Sequence, residues 1–97
     1  MEAWERELLT EAGIDPDGPE WRLAGELAFQ DDNLLETLVR IRIALGMSQE
    51  DVAKKMNRSL TTVQNFETFG ADPHLSIIRR YALAIGVRIE HDARPFE

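Results

Sequence analysis

The chain has 97 residues, 43% of them hydrophobic, so it can bury one small core but is too short for a typical large catalytic cleft. It has no cysteine, which excludes disulfides and thiolate metal sites and fits a reducing cytoplasm. No apolar run approaches the ~20 residues of a membrane span. The acidic, amphipathic N-terminus also lacks the basic start of a signal peptide. The sequence therefore predicts a cytoplasmic protein with no membrane partner.

The net charge of −7 is distributed unevenly. Residues 1–36 hold eleven acidic and two basic residues, a net charge of −9. Residues 37–97 hold seven acidic and nine basic residues, a net charge of +2. The acidic balance disfavours a nucleic-acid partner, but only in the first third of the chain. The remainder is mildly basic and can tolerate a phosphate backbone.

The first predicted element is a short amphipathic helix over residues 2–12. Its apolar positions recur at helical spacing and are Trp4, Leu8, Leu9 and Ala12. Gly13 is suited to end it, because glycine readily adopts the left-handed conformation that follows many helices. The two tryptophans, Trp4 and Trp21, are interpreted as core or interface anchors.

Proline and glycine in the segment Asp15–Pro19 predict a break, and a second helix is predicted over 20–29. The polar residues after it, Asp31, Asp32 and Asn33, predict a break between two helices. Asn33 with Glu36 three residues later resembles a capping box, which predicts that a third helix over 34–45 begins there.

Three further helices follow, separated by turns. Ser48 is expected to cap a helix ending at Met56, and Ser59 to cap another over 60–68. The last helix is predicted over 75–84, before Gly86. The alternation of apolar and polar residues in Val87–His91 then suggests a short strand, which would need a partner strand from a second subunit or would remain an extended tail.

The apolar faces of the last four helices predict one core. Its expected members are Leu34, Leu35, Leu38, Val39, Ile41, Val52, Ala53, Met56, Val63, Phe66, Leu75, Ile78, Tyr81, Ala82 and Ile85.

Two short helices joined by the three residues 57–59 have the form of a helix-turn-helix unit. Ala53 is small enough to let the second helix approach closely, and Asn57 tolerates the left-handed backbone of a sharp turn. Val63 and Phe66 give the second helix an apolar face, and polar residues occupy the opposite side.

The segment Gly46–Glu67, G-M-S-Q-E-D-V-A-K-K-M-N-R-S-L-T-T-V-Q-N-F-E, resembles the Cro/XRE family of bacterial and phage regulators. The matching positions are Ser48-Gln49, Val52-Ala53, the span from Ser59 through Val63 to Glu67, and downstream Pro73, Leu75, Ile78, Ala82 and Gly86. Two positions depart from the family pattern. Asn57 stands where glycine is usual, and Leu60 stands where a polar residue is usual. Leucine can contact a thymine methyl group but cannot form a hydrogen bond with a base edge.

The resemblance implies an all-α, five-helix helix-turn-helix bundle of the lambda-repressor type. Together with the charge distribution and the pattern of the last residues, it predicts an acidic N-terminal helical extension over 1–30, a DNA-binding domain over 31–86, and a short strand or tail over 87–97 that could serve dimerisation.

The resemblance also implies site residues. Base edges of double-stranded DNA would be contacted by Leu60, Thr61, Gln64 and Asn65. Phosphates would be contacted by Gln49, Lys55, Arg58, Ser59 and Thr62. The simpler alternative is an ordinary solvated surface, both for these polar residues and for Lys54, Arg79 and Arg80.

No catalytic residue, cofactor or metal is predicted. The sequence has no phosphate-binding glycine loop, nucleophile elbow or metal triad, and His74 and His91 stand alone. Glu67 corresponds to the family's structural acid, which is expected to stabilise the fold through a hydrogen bond.

Three functions stay open. The first is a homodimeric repressor on a two-fold operator, acting in a bacterial or phage-infected cell. The second is an antitoxin, because Leu75–Glu90 is similar to the corresponding stretch of HigA-type antitoxins and residues 1–36 would complement a small basic toxin. The third is a protein-interaction module without DNA binding, which the net acidity and Leu60 favour.

Overall fold

The computed structural model describes residues 2–13 and 18–96. These residues form five α-helices and no strand, which confirms the predicted all-helical fold class. The helices are α1 (Ala3–Glu11), α2 (Pro19–Ala44), α3 (Gln49–Met56), α4 (Leu60–Glu67) and α5 (Leu75–Ile85). None of them is long and apolar enough to cross a membrane within the described part of the chain.

The chain divides into two compact units. The first comprises Met1–Asp31 with Pro95–Glu97, and the second comprises Asp32–Arg94. The predicted helix-turn-helix segment lies entirely in the second unit.

In the first unit, α1 lies within the predicted range and Gly13 follows it with φ 79°, as expected. Trp4 is 61% exposed and is therefore not a core residue of this chain, while Trp21 is half-buried. The Leu9 side chain and most of the predicted break at Asp15–Pro19 lie outside the described residues. The guanidinium of Arg22 lies 5.0 Å from the ring centre of Phe96, a cation–π contact.

The prediction of two helices over 20–29 and 34–45 is wrong, because α2 runs without a break from Pro19 to Ala44. Asn33 lies inside it and does not cap a helix. The physical reason is that residues 30–33 contain neither proline nor glycine. Asp and Asn cost only a few tenths of a kcal/mol each inside a helix, and extending a formed helix is easier than nucleating a new one. Capping residues mark a helix start only where the preceding chain is not already helical.

The core belongs to the second unit and brings α2, α3, α4 and α5 together. Its buried members are Leu38, Val52, Ala53, Met56, Val63, Phe66, Tyr81, Ala82, Ala84 and Ile85. Leu34, Leu35, Ile41 and Ile78 were expected there too, and they pack against it while partly exposed. Leu75 is a correction, because 69% of it is exposed. It is the first residue of α5, and the buried residues of this helix, from Tyr81 to Ile85, lie in its second half.

The predicted strand at Val87–His91 is not formed in the described chain. An extended segment becomes a strand only when a neighbouring strand takes its N–H and C=O groups, and residues 2–13 and 18–96 of this single chain provide no such strand. The alternation still identifies the two faces correctly. Val87 and Ile89 pack against the core, whereas Arg88 and Glu90 are exposed and form an ion pair at 3.5 Å.

Candidate nucleic-acid interface

The turn between α3 and α4 has the geometry that the sequence predicts. Asn57 has φ 56° and ψ 47°, in the left-handed region, and is the single non-glycine residue with positive φ among the described residues. The amides of Asn57 and Arg58 donate to the carbonyls of Lys54 (3.1 Å) and Ala53 (3.0 Å). These bonds close the end of α3 and turn the chain sharply into α4.

Both helices start at the predicted serines. The Ser48 hydroxyl accepts from the Asp51 amide at 3.0 Å, and the Asp51 carboxylate accepts from the Ser48 amide at 3.0 Å. Both interactions with Ser48 lower the pKa of the Asp51 carboxyl, and the hydrogen bond from the Ser48 backbone has a larger effect than the one with the Ser48 side chain. Ser59 caps α4 by accepting from the Thr62 amide at 3.2 Å. The two caps fix where each helix begins and hence which residues of α4 face outward.

The helix α4 has one buried and one exposed face. Val63 is fully buried and Phe66 is 3% exposed. The four residues predicted to contact bases are all exposed, and their spacing of one and four residues places them on one side of the helix: Leu60, Thr61, Gln64 and Asn65. Leu60 is 36% exposed, so it is not withdrawn into the core.

The five residues predicted to contact phosphates are less uniform. Lys55, Arg58 and Ser59 are exposed. Thr62 is half-buried and its hydroxyl lies 3.0 Å from that of Ser59, so both hydroxyls are already engaged in the cap of α4. Gln49 is half-buried as well, and its Nε2 donates to Glu67 at 3.0 Å.

Glu67, at the last position of α4, accepts hydrogen bonds from three other helices. Its Oε2 accepts from Arg42 Nε at 2.8 Å and from the Tyr81 hydroxyl at 2.7 Å. Its Oε1 accepts from Arg42 Nη2 at 2.9 Å and from Gln49 Nε2 at 3.0 Å. The Arg42 and Glu67 side chains are only 12% and 7% exposed. These four residues, Arg42, Gln49, Glu67 and Tyr81, are called the Glu67 cluster below.

Every charge in the Glu67 cluster is compensated. Burial alone would raise the pKa of the Glu67 carboxyl, but the hydrogen bonds from Arg42, Gln49 and Tyr81 outweigh it and hold the pKa below its ordinary value. Burial, and then the hydrogen bond to Glu67, raise the pKa of Tyr81 far above its ordinary value. Arg42 also donates to the Met47 carbonyl at 2.8 Å, which ties the loop before α3 to α2. The cluster thus locks α2, α3, α4 and α5 to one another.

The sequence predicts a structural role for Glu67 but does not identify its hydrogen-bond partners. Arg42 carried a detectable signal: it lies four residues after Leu38 and seven after Leu35, so it falls on the core-facing side of α2. Tyr81 was counted as an apolar core residue. A buried tyrosine hydroxyl needs a polar partner, and that requirement could have linked it to Glu67. Its ring stacks on Phe66 with centroids 4.3 Å apart.

Comparison with known proteins gives one family and distant relatives. The family model described as helix-turn-helix matches residues 38–91, more than half of the chain. Antitoxin HigA1 of Mycobacterium tuberculosis is 35% identical over 71 residues, which are 73% of this chain and 48% of that protein. Multiprotein-bridging factor 1 of Candida glabrata is 32% identical over 63 residues, which are 65% of this chain and 42% of that protein. The chain therefore spans about half the length of the curated relatives it matches. No solved structure matches it.

Proposed function

This chain belongs to the helix-turn-helix family, and on that premise we propose that it is a sequence-specific DNA-binding regulator that places α4 in the major groove. The observation that carries the proposal is the face of α4 opposite Val63 and Phe66. It presents polar side chains to solvent from a short helix. The Ser59 cap fixes the start of this helix, the hydrogen bonds of Glu67 fix its end, and the backbone hydrogen bonds after α3 fix the preceding turn. A major groove about 12 Å wide admits such a helix.

The outward side chains of α4 have suitable chemistry for reading bases. Gln64 and Asn65 carry amides that can pair with the two hydrogen-bonding groups of adenine. Leu60 and the methyl group of Thr61 suit the methyl group of thymine. The expected preference is therefore for A·T pairs under the exposed face of α4.

Phosphate contacts would set the position of α4 in the groove without reading sequence. Lys55, near the end of α3, and Arg58, in the turn into α4, are exposed, so both can reach the DNA backbone. Gln49 would donate from the start of α3, where the helix dipole also favours an anion. The hydroxyls of Ser59 and Thr62 would contribute only if the cap of α4 tolerates an additional acceptor.

A single α4 of eight residues contacts too few base pairs for useful specificity, so the regulator is proposed to act as a homodimer on a two-fold operator. The bound dimer would act as a repressor by blocking access to the promoter. Two surfaces are available for the dimer. One is α5, where Leu83 is 81% exposed, and the other is the extended segment over 87–91. Truncation after Gly86 separates them: a dimer that survives rules out the extended segment.

The test is enrichment of duplexes from a random pool at low salt, followed by salt titration of the winning sequence. A two-fold symmetric consensus with a steep salt dependence supports the proposal. Arg58→Ala should weaken all duplexes alike and reduce the salt slope by about 1, whereas Arg40→Ala, at an exposed arginine on α2, is the matched control and should change neither. Failure of the folded wild-type chain to enrich any duplex would refute the proposal.

An antitoxin is the second candidate, favoured by the similarity to Antitoxin HigA1. The acidic first third of the chain, with its net charge of −9 over residues 1–36, suits a small basic protein partner. Co-expression with any small basic protein encoded beside this gene tests the idea. A stable complex, together with relief of that protein's toxicity, supports it, and the lack of a basic neighbour counts against it.

A further inference from the structure

The Gln49 side-chain amide is held in one orientation. Its Nε2 donates to Glu67 Oε1 at 3.0 Å. A carboxylate can only accept hydrogen bonds, so the nitrogen of the amide must face Glu67 and the oxygen must face away. The amide therefore cannot flip, and the directions of Oε1 and of the second Nε2–H are fixed with it.

Glu67 does not need Gln49 to satisfy its own hydrogen bonds. Arg42 donates one bond to each carboxylate oxygen, at 2.8 and 2.9 Å, and Tyr81 adds a third at 2.7 Å. The carboxylate would keep a donor on both oxygens without Gln49. The bond thus constrains Gln49 more than it supports Glu67.

The constrained amide lies at an end of α3 that has unused donors. The Ser48 cap occupies the amide of Asp51 through the hydroxyl and that of Val52 through the carbonyl. Helical geometry provides no intrahelical acceptor for the amides of Gln49 and Glu50. An anion at this end is favoured by N–H donors, and a flipped Gln49 would instead direct its oxygen at the anion.

We propose that Glu67 is a positioning residue for DNA binding: it orients the Gln49 amide so that the remaining Nε2–H is ready to donate to a DNA phosphate. The inference rests on the proposed function, because it assumes that a phosphate lies at the start of α3. Its benefit is that Gln49 loses little side-chain freedom when DNA binds. An acidic residue thereby assists the binding of an acidic ligand, by acting through a neutral amide.

The first test needs no variant. In the NMR spectrum of the wild-type chain, the Nε2 proton of Gln49 that is bonded to Glu67 should be displaced from its random-coil chemical shift and should exchange slowly with water. Gln30 and Gln64 are exposed and serve as controls in the same spectrum, where their Nε2 protons should show random-coil shifts and fast exchange. A Gln49 amide that resembles those of Gln30 and Gln64 would overturn the proposal.

The second test is a set of duplex affinities for Gln49→Ala, Glu67→Gln and the double variant, with Glu36→Gln as a control on an exposed carboxylate. Each single variant should weaken binding about tenfold, the size expected for one hydrogen bond to a charged group, when affinity is expressed per folded molecule. The double variant should be within about twofold of either single one, because Glu67 affects DNA binding only through the Gln49 amide. Losses that multiply would mean that Glu67 supports only the fold.

Gln49→Asn keeps the test valid if Glu67→Gln does not fold. Its amide is one methylene shorter and cannot reach Glu67 from the same position, while Arg42 and Tyr81 still satisfy the carboxylate. We expect the same loss of about tenfold, and wild-type affinity would overturn the proposal. If the wild-type chain binds no duplex at all, the proposed function fails and the phosphate role fails with it, whereas the NMR comparison still decides whether Gln49 is anchored.

Discussion

Replacing Glu67 by Gln should destabilise the fold more than any other change of a carboxylate to an amide among the described residues. The substitution keeps the size of the side chain but converts one acceptor oxygen into an NH2 donor. Each carboxylate oxygen accepts two hydrogen bonds, from Arg42 and Tyr81 at Oε2 and from Arg42 and Gln49 at Oε1. Whichever oxygen is replaced, two donors lose their acceptor.

The magnitude follows from the charge that is left behind. The Arg42 side chain is 12% exposed and would retain the Met47 carbonyl and one amide oxygen as acceptors, but no negative charge. Removing one partner of a buried ion pair costs about 3–5 kcal/mol. Small domains have a total free energy of unfolding of roughly 5–15 kcal/mol, and the second unit is small enough to lie at the low end of that range. Glu67→Gln should therefore remove a large fraction of the stability of that unit.

Urea denaturation followed by circular dichroism at 222 nm is the suitable assay. Tryptophan fluorescence would not serve, because Trp4 and Trp21 both lie in the first unit. Glu36→Gln is the matched control: its ion pair with Arg40 has side chains that are 61% and 73% exposed, so the loss should stay below ~0.5 kcal/mol. Similar losses of stability in the two variants would mean that the buried Arg42–Glu67 pair contributes no more to the fold than the exposed Glu36–Arg40 pair.

Three further predictions follow from the same geometry. Because the pKa of Glu67 is lowered in the folded state, its contribution to stability is complete above the unfolded-state pKa of about 4.3 and is lost as the pH falls from there through the lower folded-state value. The free energy of unfolding should therefore fall less steeply with acid in Glu67→Gln than in the wild type, and identical pH dependences would contradict this prediction. The free energy of unfolding of Asn57→Gly should lie within about 0.5 kcal/mol of the wild-type value, because glycine adopts positive φ freely, whereas that of Asn57→Val should fall by about 1–2 kcal/mol. Equal urea midpoints for the two variants would count against the left-handed turn. Glu50→Gln removes an exposed carboxylate from the first turn of α3 and should raise duplex affinity about two- to fivefold at low salt but less at high salt, whereas Glu26→Gln in the first unit should raise it less. An affinity that does not change in Glu50→Gln would mean that no DNA phosphate lies at the start of α3.

Local signals in the sequence predicted the local features of the second unit well. Ser48 and Ser59 cap the helices they were expected to cap, and Asn57 adopts the left-handed conformation that its turn requires. These features depend on a few neighbouring residues, so they can be recognised from adjacent positions alone. The same applies to Gly86, which ends α5 in the left-handed region.

The continuity of α2 was missed because capping residues are informative only in context. Asn33 and Glu36 have the spacing of a capping box, but the chain before them is already helical. Whether residues 30–33 break a helix depends on the elements on either side, and a local pattern does not contain that information.

The Glu67 cluster could be predicted only in part, because its members are far apart in the chain. Arg42 and Glu67 are separated by 25 positions, and Tyr81 follows 14 positions later. Sequence periodicity places each of them on a core-facing side. Their convergence on one carboxylate depends on how four helices pack, which no spacing along the chain encodes.

Parallel enrichment experiments decide whether α4 reads base pairs. Random duplex pools should be selected in parallel with the wild-type chain, with Gln64→Ala, with Asn65→Ala, and with Gln30→Ala as an exposed control outside the helix-turn-helix. We expect a two-fold symmetric consensus from the wild type and from the Gln30 control. Each α4 variant should lose discrimination at one position per half-site, by about 1–3 kcal/mol. A consensus that is unchanged by both α4 substitutions, or no consensus from the folded wild-type chain, would show that α4 does not read base pairs.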